Sequence, residues 1–231
     1  MRISLPKNRL PALILAPALL LIFSATLSVS AQASASPFKE DTQQWNDVQV
    51  SVPLNKEIDF TLSSTLRFGR NVTHLVERRV GVGFSFKVGK YLTLAPSYVN
   101  LVVRPTANRK NDENRLSFAA TLSVPFGKFV FSDRNTFERR IRTPLNSTRY
   151  RNRLQLEHPV KFGKTALQLF VSDEVFYDWS FDDWVRNRFA VGLSRRFNKY
   201  FTGDFYYMRQ NDGRSRPGDL NVMGATYRVR L

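Results

Sequence analysis

Residues 149–157 read RYRNRLQLE. Arg149, Arg151 and Arg153 hold alternate positions, followed by Gln155 and Glu157, with Tyr150, Asn152, Leu154 and Leu156 between them. On a helix these charges would be spread around the axis; on a strand they share one face. The stretch predicts a strand with a row of guanidinium groups on one side. Whether that row meets open water or an enclosed space depends on how far the pattern extends.

It extends along most of the chain. Residues 57–69 set Ile58, Phe60, Leu62, Leu66 and Phe68 against Asp59, Thr61, Ser63, Thr65 and Arg67. Residues 78–88 set Val80, Val82, Phe84, Phe86 and Val88 against Arg79, Gly81, Gly83, Ser85 and Lys87. Segments 114–126, 165–177, 185–195 and 220–231 follow the same rule, which predicts strands with one apolar face. In 90–104 the parity is expected to slip near Pro96, at a bulge, and 129–141 is mixed. Short joins (PLNKE, VGK, FGK, KFGK, FNK) alternate with longer polar ones at 69–74, 105–112, 143–148, 178–183 and 210–219. Tight turns at one end and longer loops at the other describe an antiparallel meander of the kind found in outer-membrane barrels.

Composition narrows the choice. The 231 residues carry a formal charge of +16 and contain no cysteine, so disulfides and thiolate metal sites are excluded. Arg2, Lys7 and Arg9, the apolar run 10–29 and the small residues Ala31, Ala33 and Ala35 read as a cleaved signal peptide over 1–33. Its removal takes away three cations and leaves +13. The remaining cations are dispersed through strands rather than gathered in one arm, which argues against a nucleic-acid partner. After residue 35 no apolar run approaches the ~20 residues of a membrane helix.

A soluble barrel or sandwich would show the same period. The strands are longer than the usual five or six residues. Small residues (Gly81, Gly83, Ser117, Ala119, Thr121, Gly192) sit among the charges, as a crowded interior requires. Aromatics gather at both strand ends: Tyr91, Phe126, Phe129, Phe162, Phe197, Tyr200 and Phe201 at one, Phe68, Trp179, Phe181 and Trp184 at the other. That distribution matches interfacial girdles. The expected fold is all-β: a transmembrane antiparallel up-and-down β-barrel of ten to twelve strands in the bacterial outer membrane, with the arginine rows inside. On the lipid side each arginine at mid-bilayer would cost ~2–4 kcal/mol.

Ten strands fit between 57 and 231, and 42–54 supplies an eleventh. Single-chain bacterial barrels are even-numbered. The expectation is therefore a plug or partial strand within 34–56, or a twelfth strand in 36–44. The last strand (Met223, Ala225, Tyr227, Val229, Leu231) has the aromatic and apolar spacing of a client of the barrel assembly machinery.

Several short motifs carry a resemblance: Gln44-Trp45, Arg149-Tyr150-Arg151-Asn152-Arg153-Leu154, Asp173-Glu174-Val175-Phe176, and Asn187-Arg188 followed by Gly192. Over 42–231 the chain resembles the bacterial domain-of-unknown-function family 2490. The resemblance implies an outer-membrane barrel and brings no activity, ligand or cofactor with it.

Strand parity turns twelve arginines inward: Arg67, Arg79, Arg115, Arg134, Arg140, Arg149, Arg151, Arg153, Arg186, Arg188, Arg228 and Arg230. It turns five acids inward: Asp59, Glu138, Glu157, Glu174 and Asp204, an excess of seven cations. Two readings follow. One is a packed ion-pair network filling a narrow barrel without transport; the other is an anion-favouring channel or a site for an acidic ligand. Both centre on Arg149, Arg151, Arg153, Glu174, Arg186 and Arg188, with Glu138 and Arg134, and Glu174 is placed to bridge the arginines of the strands beside it. A lipid-modifying enzyme needs a nucleophile beside a histidine. His74 and His158 fall at opposite rims with no such arrangement, so no catalysis, metal or cofactor is expected. Arg104, Arg109, Lys110, Arg142, Arg214 and Arg216 decorate the loops, for solubility or for the phosphates of lipopolysaccharide.

Overall fold

The computed structural model describes residues 40–106, 109–163, 165–215 and 217–231; the expected signal peptide lies outside the described residues. Eleven strands follow one another: β1 (Asp41–Pro53), β2 (Ile58–Gly69), β3 (His74–Val88), β4 (Leu92–Thr106), β5 (Arg109–Phe126), β6 (Phe129–Arg142), β7 (Ser147–Phe162), β8 (Thr165–Asp178), β9 (Asp183–Arg196), β10 (Phe201–Asp212) and β11 (Leu220–Arg230). Each pairs with its neighbours in sequence, and β1 closes the barrel on β11.

Eleven strands among the described residues fall within the expected ten to twelve, but the meander is not antiparallel throughout. An odd count brings the first and last strands together pointing the same way. The β1–β11 seam is accordingly parallel, from Asp41 opposite Leu220 to Ser51 opposite Arg230. Segment 42–54 is neither plug nor partial strand; it pairs along its length with β11 on one side and β2 on the other. Its Val48, Val50 and Val52 alternate with Asp47, Gln49 and Ser51, which suits a wall with unlike faces.

At one rim the connections are tight. Gly89, Gly127 and Gly163 adopt φ of +66°, +61° and +60°, a region glycine enters without steric cost. In the first turn the Asn55 side chain accepts hydrogen bonds from the backbone N–H of Glu57 and Ile58, each at 2.8 Å. At the other rim the expected joins at 69–74, 143–148, 178–183 and 210–219 are mostly outside the strands, whereas β4 runs to Thr106 and β5 begins at Arg109, so most of 105–112 is ladder. The connection between β10 and β11 is the longest of those described. The register shifts, at Arg67/Phe68, Val103/Thr106 and Phe176/Tyr177, all lie toward this loop rim. No slip occurs at Pro96, because Gly83 opposite Ser97 and Phe86 opposite Leu94 share one register. The pattern looked broken because Ala95, Val99 and Leu101 put apolar residues on the inner row.

The apolar rows face outward. Val80 is 63% exposed, Phe126 78% and Met223 61%, whereas Glu138 is 2% and Arg149 5% exposed inside the barrel. A water-soluble barrel has the reverse distribution. The mixed segment 129–141 is an ordinary strand whose outer row carries Asp133, Asn135 and Arg139. The interior also holds an apolar cluster, formed by Trp45, Ala190, Met208, Leu220 and Val222 with Tyr206 against it, on the wall made by β9, β10, β11 and β1.

Candidate functional site

Alternation brings the predicted residues into one layer across the lumen. Glu138 of β6 stands opposite Arg149 of β7 and accepts from its Nη2 at 2.6 Å and its Nε at 3.0 Å. Arg151 spans two carboxylates: Nη1 reaches Glu138 at 2.7 Å and Nη2 reaches Glu174 of β8 at 2.6 Å. Glu174 does bridge, since Arg188 of β9 approaches its other oxygen at 3.6 Å. Arg188 also donates from Nε to Gln210 of β10 at 2.8 Å. Arg186 joins through Asp212 and the Ser215 hydroxyl. Guanidinium groups bonded to carboxylates in this way are fixed in plane and register.

Two predicted residues lie apart. Arg153 donates to Gln155 at 2.5 Å, and Arg134 stands opposite it in the ladder. Neither has a carboxylate partner among the described residues. Arg134 is exposed although it points inward, so the lumen on the turn side of the layer is open to solvent.

The aromatic members of the site escaped the sequence reading. Phe176 lies beneath four guanidinium groups, with Arg188 at 4.7 Å, Arg151 at 4.9 Å, Arg149 at 5.2 Å and Arg186 at 5.4 Å from its ring centre. Its position two residues from Glu174 on the inner row was the available signal. Arg67 stacks on Trp45 at 3.4 Å, and Arg188 approaches the same ring at 4.9 Å. Trp45 Nε1 donates to Gln43 at 2.8 Å.

The charge balance also changes. Asp41, Asp47, Glu77, Glu113, Asp178 and Asp212 point inward as well, and so does Arg142, so thirteen arginines meet eleven carboxylates rather than five. Glu113 takes Arg115 and Arg140, each through Nη2 and Nε at 2.7–2.9 Å. Glu77 takes Arg67 at 3.0 Å and Arg79. The excess of seven cations is not present in the fold.

Above this layer the lumen widens into a cavity of about 980 Å³ that reaches the loop rim at Arg70, Arg104, Leu145 and Pro217. Its floor is Trp45, Arg67, Arg79, Arg151, Phe176 and Arg188. One floor donor is unmet: Arg67 Nε is buried and has no hydrogen-bond partner among the described residues. Neither histidine enters the lumen. His74 meets the Thr73 hydroxyl at the loop rim, and His158 packs on Phe129 on the outer wall at 4.6 Å between ring centres.

A comparison with curated proteins finds no match. The profile of the family described as Protein of unknown function (DUF2490) matches residues 42–221, from the first strand to the start of the last. With that match over most of its length, the chain belongs to this family of unknown function.

Proposed function

We propose that the chain is a small outer-membrane β-barrel that holds an anionic ligand in the vestibule at its loop rim and does not conduct ions freely. The observation that carries this is the cavity of about 980 Å³ that opens at the loop rim and is lined at its floor by Arg67, Arg79, Arg151 and Arg188. The outward apolar rows support the membrane location, since that area facing water would be unfavourable. The layer of Trp45, Arg151, Phe176 and Arg188 argues against a through-pore. The role is one of binding; the distance between His74 and His158 and their positions outside the lumen support a non-catalytic barrel.

Lipopolysaccharide is the proposed neighbour at the loop rim, through Arg104 and Arg142, and the last strand is the proposed handle for the assembly machinery. A second reading, a structural barrel with a plugged lumen, is favoured by the near balance of thirteen inward arginines and eleven carboxylates. Two measurements on protein refolded in detergent separate them. Titration with inorganic phosphate and with citrate, followed by Trp45 fluorescence in a Trp179→Phe/Trp184→Phe background, should show saturable binding. Arg67→Lys should weaken it at least tenfold, because a lysine lacks the planar guanidinium fork that stacks on Trp45 and pairs with oxyanions. No binding of either anion, with no conductance in planar bilayers, would leave the structural reading. A steady conductance would favour the channel.

A further inference from the structure

One residue in the outer row of β7 does not suit an apolar wall. Asn152 sits between Tyr150 and Leu154, and its Nδ2 donates to Asp133 Oδ1 at 2.6 Å and to Asn135 Oδ1 at 3.1 Å, both on the outer row of β6. Asn135 Nδ2 also donates to Asp133 Oδ1 at 3.2 Å. Across β8, Asn187 of β9 donates to Asp173 Oδ1 at 2.8 Å. Leu154 stands opposite both Asp133 and Asp173, so the two groups flank a single residue. Together they form a polar patch over four adjacent strands, in a wall otherwise made of residues such as Leu156, Leu169 and Phe189.

The patch is not internally complete. Each carboxylate uses only Oδ1; Oδ2 of Asp133 and of Asp173 accepts no hydrogen bond among the described residues. Asn135 and Asn187 each use one of two Nδ2 hydrogens, so each keeps a free donor. Acyl chains offer neither donors nor acceptors, and ionisable groups at this depth in a membrane wall face a protein partner or water.

We propose that this outer patch on β6 to β9 is the surface through which two copies of the chain associate side by side in the membrane, an inference that rests on the outer-membrane reading. The argument for a second copy is geometric. Two identical barrels inserted in the same direction are related by an axis along the bilayer normal, so every residue meets its counterpart's surroundings at its own depth. An isologous contact therefore needs its donors and acceptors at one depth. Asp133 and Asp173 supply two free acceptors on one ladder row, either side of Leu154, and Asn135 and Asn187 supply two free donors on the neighbouring row, either side of Asn152 and Val175.

The absence of cysteine makes the test direct. Leu154→Cys places one thiol at the centre of the patch; Leu62→Cys, on the outer row of β2 across the barrel, is the control. Oxidation of isolated outer membranes should give a disulfide-linked dimer from Leu154→Cys and none from Leu62→Cys. Adding Asp133→Leu and Asp173→Leu should lower the dimer yield at least tenfold while the barrel stays folded by its heat-shifted gel mobility. Sedimentation of the unmodified chain in detergent, which needs no variant to fold, should give a dimer. A monomer there, or equal crosslinking at both positions in membrane-inserted protein, would overturn the interface and leave the membrane reading standing. Recovery of the chain from the soluble periplasmic fraction would overturn both.

Discussion

On the wall built by β5 to β9, Glu138 and Glu174 are held by Arg149, Arg151 and Arg188 through bonds of defined direction. On the wall built by β10, β11 and β1, Met208, Leu220 and Val222 pack on Trp45 with no direction to satisfy. The division does not follow ladder direction, because β10 pairs antiparallel with both β9 and β11 beneath the apolar packing and only the β1–β11 seam is parallel. In the antiparallel ladders Glu138 stands directly opposite Arg149 and pairs with it, whereas Glu174 stands opposite Arg153 and pairs diagonally with Arg151, the reach that a regular register allows. At the parallel seam the backbone bonds slant, and the inner row is filled by packing that tolerates misalignment. Trp45 joins the two walls, because its ring receives Arg67 and Arg188.

The comparison is broken most severely by removing one carboxylate from the charged wall. Glu138→Ala leaves Arg149 and Arg151 buried without it and should cost ~3–5 kcal/mol in a urea titration of the refolded barrel. Trp45→Ala removes the apolar centre and should cost about 3 kcal/mol in the same titration. It should weaken anion binding only through loss of the stacked Arg67. Gly224→Ala tests the packing beside the seam: a Cβ there would lie 2.0 Å from Tyr206 Cζ, so roughly 1–3 kcal/mol is expected, relieved by adding Tyr206→Val. Arg151→Ala and Glu174→Ala, singly and together, should show a coupling of ~0.5–3 kcal/mol; additive losses would mean the charged wall is not a network.

The smallest effect belongs to the rim of the seam. There the Arg209 hydrogen bond holds the Glu40 carboxyl below its usual range. The carboxyl is lowered, so its contribution is present at neutral pH and lost as pH falls through the folded value. Exposure makes it small, and Glu40→Gln should leave the urea midpoint at neutral pH unchanged.

The opening stretch 149–157 conveyed which row faces inward, because three arginines on one parity leave no other placement. The carboxylates that balance them were harder to see. Glu113 is flanked by Asp112 and Asn114, and Asp212 by Asn211 and Gly213. At the loop rim both faces of the strands are polar, the period-two contrast vanishes, and inward acids look like loop residues. Trp45 was hidden for a similar reason: Gln43 and Trp45 alternate with Gln44 and Asn46, and neither row is plainly apolar. Pro96 misled in the other direction, since inward Val99 and Leu101 imitate a change of parity. The outer polar patch left only a faint trace, in the mixed character of 129–141.

On the membrane reading proposed above, the odd count has a consequence for how the chain would enter a bilayer. Hairpins carry strands across in pairs, led by a turn, and five hairpins account for ten. β1 is left single: Asp41 lies at the loop rim, while Arg230, where β11 ends, lies at the other. On that reading its leading end would be threaded across without a companion, and the ring would be sealed when that end slides alongside β11 in the same sense, like a zip fastened from one side.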